Sequence, residues 1–106
     1  MGFSEAKAAV VAALHEGNFE HEAREVRAEK NLLAVGDVDA SAVAALVLKT
    51  RSEDYGESPH HWDQSVVVHT FTPTVREERW YIKVYFVETD GDDRKAMFIS
   101  VHRAGN

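Results

Sequence analysis

The 106 residues are enough for one domain and one core, but not for two. Cysteine is absent, which excludes disulfides and thiolate metal sites, and no run approaches the ~20 apolar residues that span a bilayer. The net charge is −6, with 6 basic and 10 acidic side chains before residue 55 and 6 and 8 from there on. That balance argues against avid nonspecific binding to nucleic acid and leaves room only for a small local positive patch. Hydrophobic residues make up 44% and charged residues 28%, the proportions of a globular protein and not of a disordered one. The first residues read as the start of a helix and lack the basic and apolar segments of a signal peptide, so a cytoplasmic location is expected.

In chain order, Ser4 is a natural cap for an alanine-rich helix over 6–14, in which Val10, Ala13 and Leu14 have helical spacing. Gly17-Asn18 ends it. Residues 19–24 are short and polar, fitting an edge strand or an extended segment. Helical propensity returns over 25–35 and breaks at Gly36-Asp37. Asp39 or Ser41 can cap a third helix over 42–49. Residues 51–64, with Ser52, Asp54, Gly56, Ser58 and Pro59, are expected as a loop, with Tyr55 and Trp62 folded back onto the core as a plug.

Three strands follow, over 65–71, 79–87 and 96–102, each rich in β-branched and aromatic residues. Pro73 to Glu78 connects the first pair, and Asp90-Gly91-Asp92-Asp93 the second; Asp-Gly is a favoured hairpin turn. The simplest topology is an antiparallel meander. The fold class expected is α+β, one domain over 1–106: mainly helical to residue 50, a loop over 51–64 and antiparallel strands over 65–102. The N-terminal helices would pack on one face of the small C-terminal sheet.

Successive side chains of a strand point to opposite faces. Trp80, Ile82, Val84 and Phe86 form a core face, which places Tyr81, Lys83 and Tyr85 on the other. The same alternation makes Met97, Ile99 and Val101 core residues and turns Phe98, Ser100 and His102 outward. The facing of the first strand is ambiguous, with His69 joining the polar set on one reading. Tyrosine, lysine and histidine on one face are the groups that metal-free RNA cleavage needs. Histidine removes or returns a proton near neutral pH, and a fixed cation stabilises the charge that builds on phosphorus. The plainer reading is a solvated sheet face with ordinary polar residues. His60-His61-Trp62-Asp63 lacks metal-ligand spacing, and adjacent histidines of an extended chain point to opposite sides, so no metal site and no cofactor are expected.

Tyr81-Ile82-Lys83 on a strand, a glycine-marked hairpin and a last strand Phe98-Ile99-Ser100-Val101-His102 resemble the MqsR (motility quorum-sensing regulator) family. Upstream, Lys30-Asn31-Leu32-Leu33, the helix end Leu46-Val47-Leu48 and Ser52-Glu53-Asp54-Tyr55 fit the same pattern, so the resemblance runs from about residue 10 to residue 102. These are toxins of bacterial toxin–antitoxin pairs with a RelE-like fold. The resemblance implies an mRNA-cleaving endoribonuclease neutralised by a cognate antitoxin protein. By position, Tyr81 matches a catalytic tyrosine, and His102 stands where family members carry a lysine. Gly56, Glu57 and Ser58 occupy the stretch of the family's loop lysine, and Val68 or His69 lies near the place of its glutamine.

The expected roles are then specific. His102 and His69 exchange protons, Tyr81 orients or stacks, and Lys83 with Arg79 or Arg103 holds phosphate. The His60, His61 and Trp62 loop borders the RNA. The rival reading is a noncatalytic protein-binding module using the same face.

Overall fold

The computed structural model describes residues 1–22, 31–88 and 94–104. Helix α1 (Phe3–Glu16) buries Ala6, Val10, Ala13 and Leu14, one stripe at helical spacing. Gly17 ends it in the left-handed conformation, φ 71°, and the Asn18 N–H closes the last turn onto the Ala13 carbonyl. Ser4 is not the cap: Gly2 holds that place without a side-chain bond, and Ser4 lies in the first turn. Strand β1 (Phe19–His21) realises the strand reading of the polar segment. The helix expected over 25–35 does not run unbroken, because Asn31, at φ −140°, caps a fresh short helix α2 (Leu32–Val35) with its side-chain oxygen on the Ala34 N–H. Residues 25–30 of that expectation lie outside the described residues. Helix α3 (Ala40–Leu48) is capped by Asp39, whose carboxylate accepts from the Ala42 N–H at 2.8 Å.

The other described strands are β2 (Tyr55–Pro59), β3 (Val67–Phe71), β4 (Thr74–Val75), β5 (Glu78–Glu88) and β6 (Arg94–Arg103). The order is β1-β6-β5-β3-β2, with β4 paired to the start of β5. The expected meander is therefore its centre, β3-β5-β6, and both edges are additions. β1 joins β6 in parallel, making the sheet mixed, and β2 pairs antiparallel with β3. The loop expected over 51–64 is thus largely a one-turn 3₁₀ helix, Ser52–Asp54, followed by a strand. The connection expected from Pro73 to Glu78 tightens to two residues, since β4 pairs Val75 with Glu78. Its central residues, Arg76 and Glu77, both have positive φ, 53° and 69°. The Asp90-Gly91 turn lies outside the described residues.

Helices α1, α2 and α3 place buried side chains on one face of the sheet. Val10, Leu33, Val43 and Val47 meet Phe71, Ile82, Val84, Ala96, Phe98 and Val101. Each large aliphatic or aromatic side chain so buried contributes about 1.5–3 kcal/mol. On β6 the alternation changes phase once. Lys83 pairs with Ser100, but Val84 pairs with Phe98, which leaves Ile99 as an extra residue, a β-bulge. This corrects the sequence expectation: Phe98 is fully buried in the core, whereas Met97 and Ile99 are only half-buried. No helix among the described residues is long and apolar enough to cross a membrane.

Candidate functional site

The face of the sheet turned away from the helices, the outer face, carries the candidate site. Cross-strand pairing sets Tyr81 directly opposite His102. Their rings stack at 5.4 Å between centroids, 26° from parallel. Lys83 follows Tyr81 on the same face, and its Nζ lies 5.4 Å from the centre of the Tyr81 ring, a cation–π contact. His102 Nδ1 is 2.9 Å from the Arg103 carbonyl oxygen. A carbonyl only accepts, so Nδ1 carries the proton and donates it, and Nε2 is the nitrogen left able to take one up. The expected trio of Tyr81, Lys83 and His102 is thus brought together.

A second cluster shares the face. Past β1, the Glu22 N–H donates to the Phe98 carbonyl at 3.0 Å, which carries its side chain over the outer face. Glu22 Oε1 accepts from His60 Nε2 at 2.7 Å and from the Tyr85 hydroxyl at 3.4 Å. The His60 ring meets the Tyr85 ring edge-on at 4.9 Å. Its Nδ1 accepts the Trp62 N–H at 3.1 Å, so Nε2 holds the ring proton. His60, only 7% exposed, is therefore held at both nitrogens. The next turn is fixed by Asp63, whose Oδ1 accepts from the Ser65 hydroxyl at 2.6 Å and the Ser65 N–H at 3.1 Å. Those two bonds hold the Asp63 carboxyl below the ordinary carboxylate range. Between this loop and Lys83 runs a groove of about 330 Å³, lined by Glu22, Ser58, His60, His61, Lys83 and Ile99 among others.

Several expected members lie elsewhere. His69 is not on the outer face. β3 pairs it with Val84, a core residue, so it points to the helix side, 3% exposed. There His69 Nδ1 is 2.6 Å from the Tyr55 hydroxyl, which donates to Glu57 Oε2, also at 2.6 Å. A carboxylate only accepts, so the imidazole is the donor to the tyrosine oxygen. Burial lowers the His69 pKa, and the neighbouring Glu57 charge offsets part of that. Burial first, and then Glu57, push the Tyr55 hydroxyl up.

The cations divide in the same way. Arg103 pairs with Trp80, packs over its ring at 4.6 Å and bonds Glu78 at 2.8 Å, so it too is off the outer face. Arg79 has the parity of Tyr81 and donates to the Thr72 hydroxyl at 3.2 Å. Of the two aromatics expected as a plug, Tyr55 packs on Phe3 and Phe71, but Trp62 is 70% exposed. His61 is exposed and lines the groove. Among the described residues, no three His, Asp or Glu side chains gather as a metal centre.

Sequence reasoning missed Glu22, because a lone acid after a short polar strand has no pattern of its own. It also missed Ile99 as a groove residue, because the bulge is invisible to alternation. The chain matches no protein-family model and no curated protein sequence.

Proposed function

We propose that the chain is a metal-independent endoribonuclease acting through 2′-hydroxyl attack, and the mRNA-cleaving toxin of a bacterial toxin–antitoxin pair. The observation that carries the catalytic reading is the stacked Tyr81–His102 pair with Lys83 beside it. His102 Nε2 takes the proton of the 2′-hydroxyl as the 2′-oxygen attacks phosphorus. Lys83 neutralises the charge that grows on the phosphoryl oxygens. The bond to the 5′-oxygen breaks, and that oxygen takes its proton from water. The products are a 2′,3′-cyclic phosphate and a 5′-hydroxyl end. Tyr81 holds the imidazole by stacking and presents its ring edge to a neighbouring base.

His69 has no part in this scheme, since it lies across the sheet from His102. Tyr81 and His102 thus carry the matching positions of the family resemblance without a second histidine. The toxin reading, with a cognate antitoxin as protein partner and a cytoplasmic setting, rests on that resemblance alone.

The test is incubation of the purified protein with RNA in chelator. Cleavage with cyclic phosphate ends is expected, falling by about 100-fold or more in His102→Ala, the usual weight of a general base. Intact RNA with folded wild-type protein would overturn the reading.

A further inference from the structure

We propose that the groove between Lys83 and the His60 loop is a nucleobase subsite, and that it restricts this face to single-stranded nucleic acid. The inference deepens the nuclease reading and rests on it for the identity of the ligand. Three features support it. Lys83 belongs to both places: it lies over the Tyr81 ring and it lines the groove. A phosphate held by Lys83 therefore sets the adjoining nucleotide at the groove. The groove, at about 330 Å³, is at the small end for a ligand pocket, which suits one base better than a large ligand. Its wall is also pre-formed, because His60 is tied to Glu22 and to the Trp62 backbone and Asp63 to Ser65. A ligand does not have to order it.

Charge decides where the affinity comes from. The chain has a net charge of −6, and among the described residues of β5 and β6 the cations that share the parity of Tyr81 are Lys83, Arg79 and Lys95, the last already paired with Glu20 at 3.6 Å. A face with so few phosphate partners gains little from counterion release. Binding must come from the bases themselves. Stacking on an aromatic ring, contributed base by base, supplies it, and Trp62, 70% exposed, stands beside the groove residue His60, their ring centres 6.4 Å apart. A duplex keeps its bases stacked inside and offers none to such a groove, whereas an unpaired strand does.

The experiment titrates wild-type protein with an all-deoxy hexanucleotide, which lacks the attacking 2′-hydroxyl, and with the same sequence as a duplex, reading the anisotropy of a dye on the nucleic acid for every protein and tryptophan fluorescence for wild type. The single strand should quench the exposed indole and bind about tenfold or more tighter than the duplex, and Trp62→Ala should lose about tenfold in affinity. Trp62→Phe, which keeps a ring, should retain most of the binding. Equal affinity for the duplex, or unchanged single-strand binding by Trp62→Ala, would overturn the subsite. A parallel RNA assay separates the two readings. Cleavage by a Trp62→Ala protein with unaltered binding removes the subsite and leaves the nuclease. Tight, Trp62-dependent binding with no cleavage by wild type removes the nuclease and leaves the subsite.

Discussion

Tyr81 and His102 face each other across β5 and β6, their rings 5.4 Å apart and close to parallel. The contact is between ring faces, so the tyrosine acts on the histidine through its ring. Tyr81→Phe should therefore keep cleavage within about threefold of wild type, whereas Tyr81→Ala should lower it about tenfold or more, consistent with an aromatic pair worth roughly 0.5–1.5 kcal/mol plus the lost alignment. Single-turnover rates on one RNA substrate check this. A large loss in Tyr81→Phe would instead make the hydroxyl a proton donor.

His69 gives the fold a defined response to acid. Its folded pKa lies below the ordinary 6.5 because burial disfavours the charged imidazole. As pH drops below 6.5 toward that lower value, the unfolded chain takes up a proton that the folded chain still refuses, and stability is lost. His21, also lowered by burial, adds in the same direction. The melting temperature should thus be lower at pH 5 than at pH 7. His69→Gln, which keeps an amide donor toward Tyr55, should flatten the dependence. Thermal melts across that range measure it.

The hairpin between β4 and β5 turns on Arg76 and Glu77, both at positive φ. Left-handed backbone costs about 1–2 kcal/mol for an ordinary residue, and Asn-Gly is the pair such two-residue turns favour. Replacing Arg76-Glu77 with Asn-Gly should raise unfolding free energy by about 1 kcal/mol, read from urea denaturation, with RNA cleavage unchanged.

Strict alternation would turn Phe98 outward and Met97 and Ile99 inward, but the bulge reverses this. Phe98→Ala should cost about 3–5 kcal/mol, as for an aromatic lost from a core, and Met97→Ala about 1 kcal/mol. Equal losses would contradict the register across β5 and β6.

These positions show what the chain made legible. Val68, Ile82 and Phe86 belong to runs whose β-branched and aromatic content reveals strands without help from the fold, although the first strand begins at Val67 and not at Ser65, because Ser65 and Val66 close the turn on Asp63. The caps at Asp39 and Gly17 are local chemistry and were readable. So was the shared face of Tyr81 and His102, because each lies on a stretch of β5 or β6 whose pairing is regular. β2 was not readable: Gly56, Glu57, Ser58 and Pro59 have little strand propensity, and only pairing with β3 holds them extended. The facing of His69 was undetermined, since both faces of β3 carry valine or phenylalanine, and only its partner Val84 decides it. Glu22 and His60 are 38 residues apart in sequence and meet through the parallel docking of β1 on β6, a long-range event with no local trace.

Ile99 is the one position in β6 that the ladder does without. With it removed, Ser100 would follow Phe98 directly and still reach Lys83, Val101 would stay inward, and His102 would still meet Tyr81. What would change is the bend of the strand and the apolar side chain it lends to the groove. The fold thereby separates the residue that shapes the groove from the stacked pair beside it. A substitution at this one spare residue reshapes the groove while Tyr81 and His102 keep their alignment.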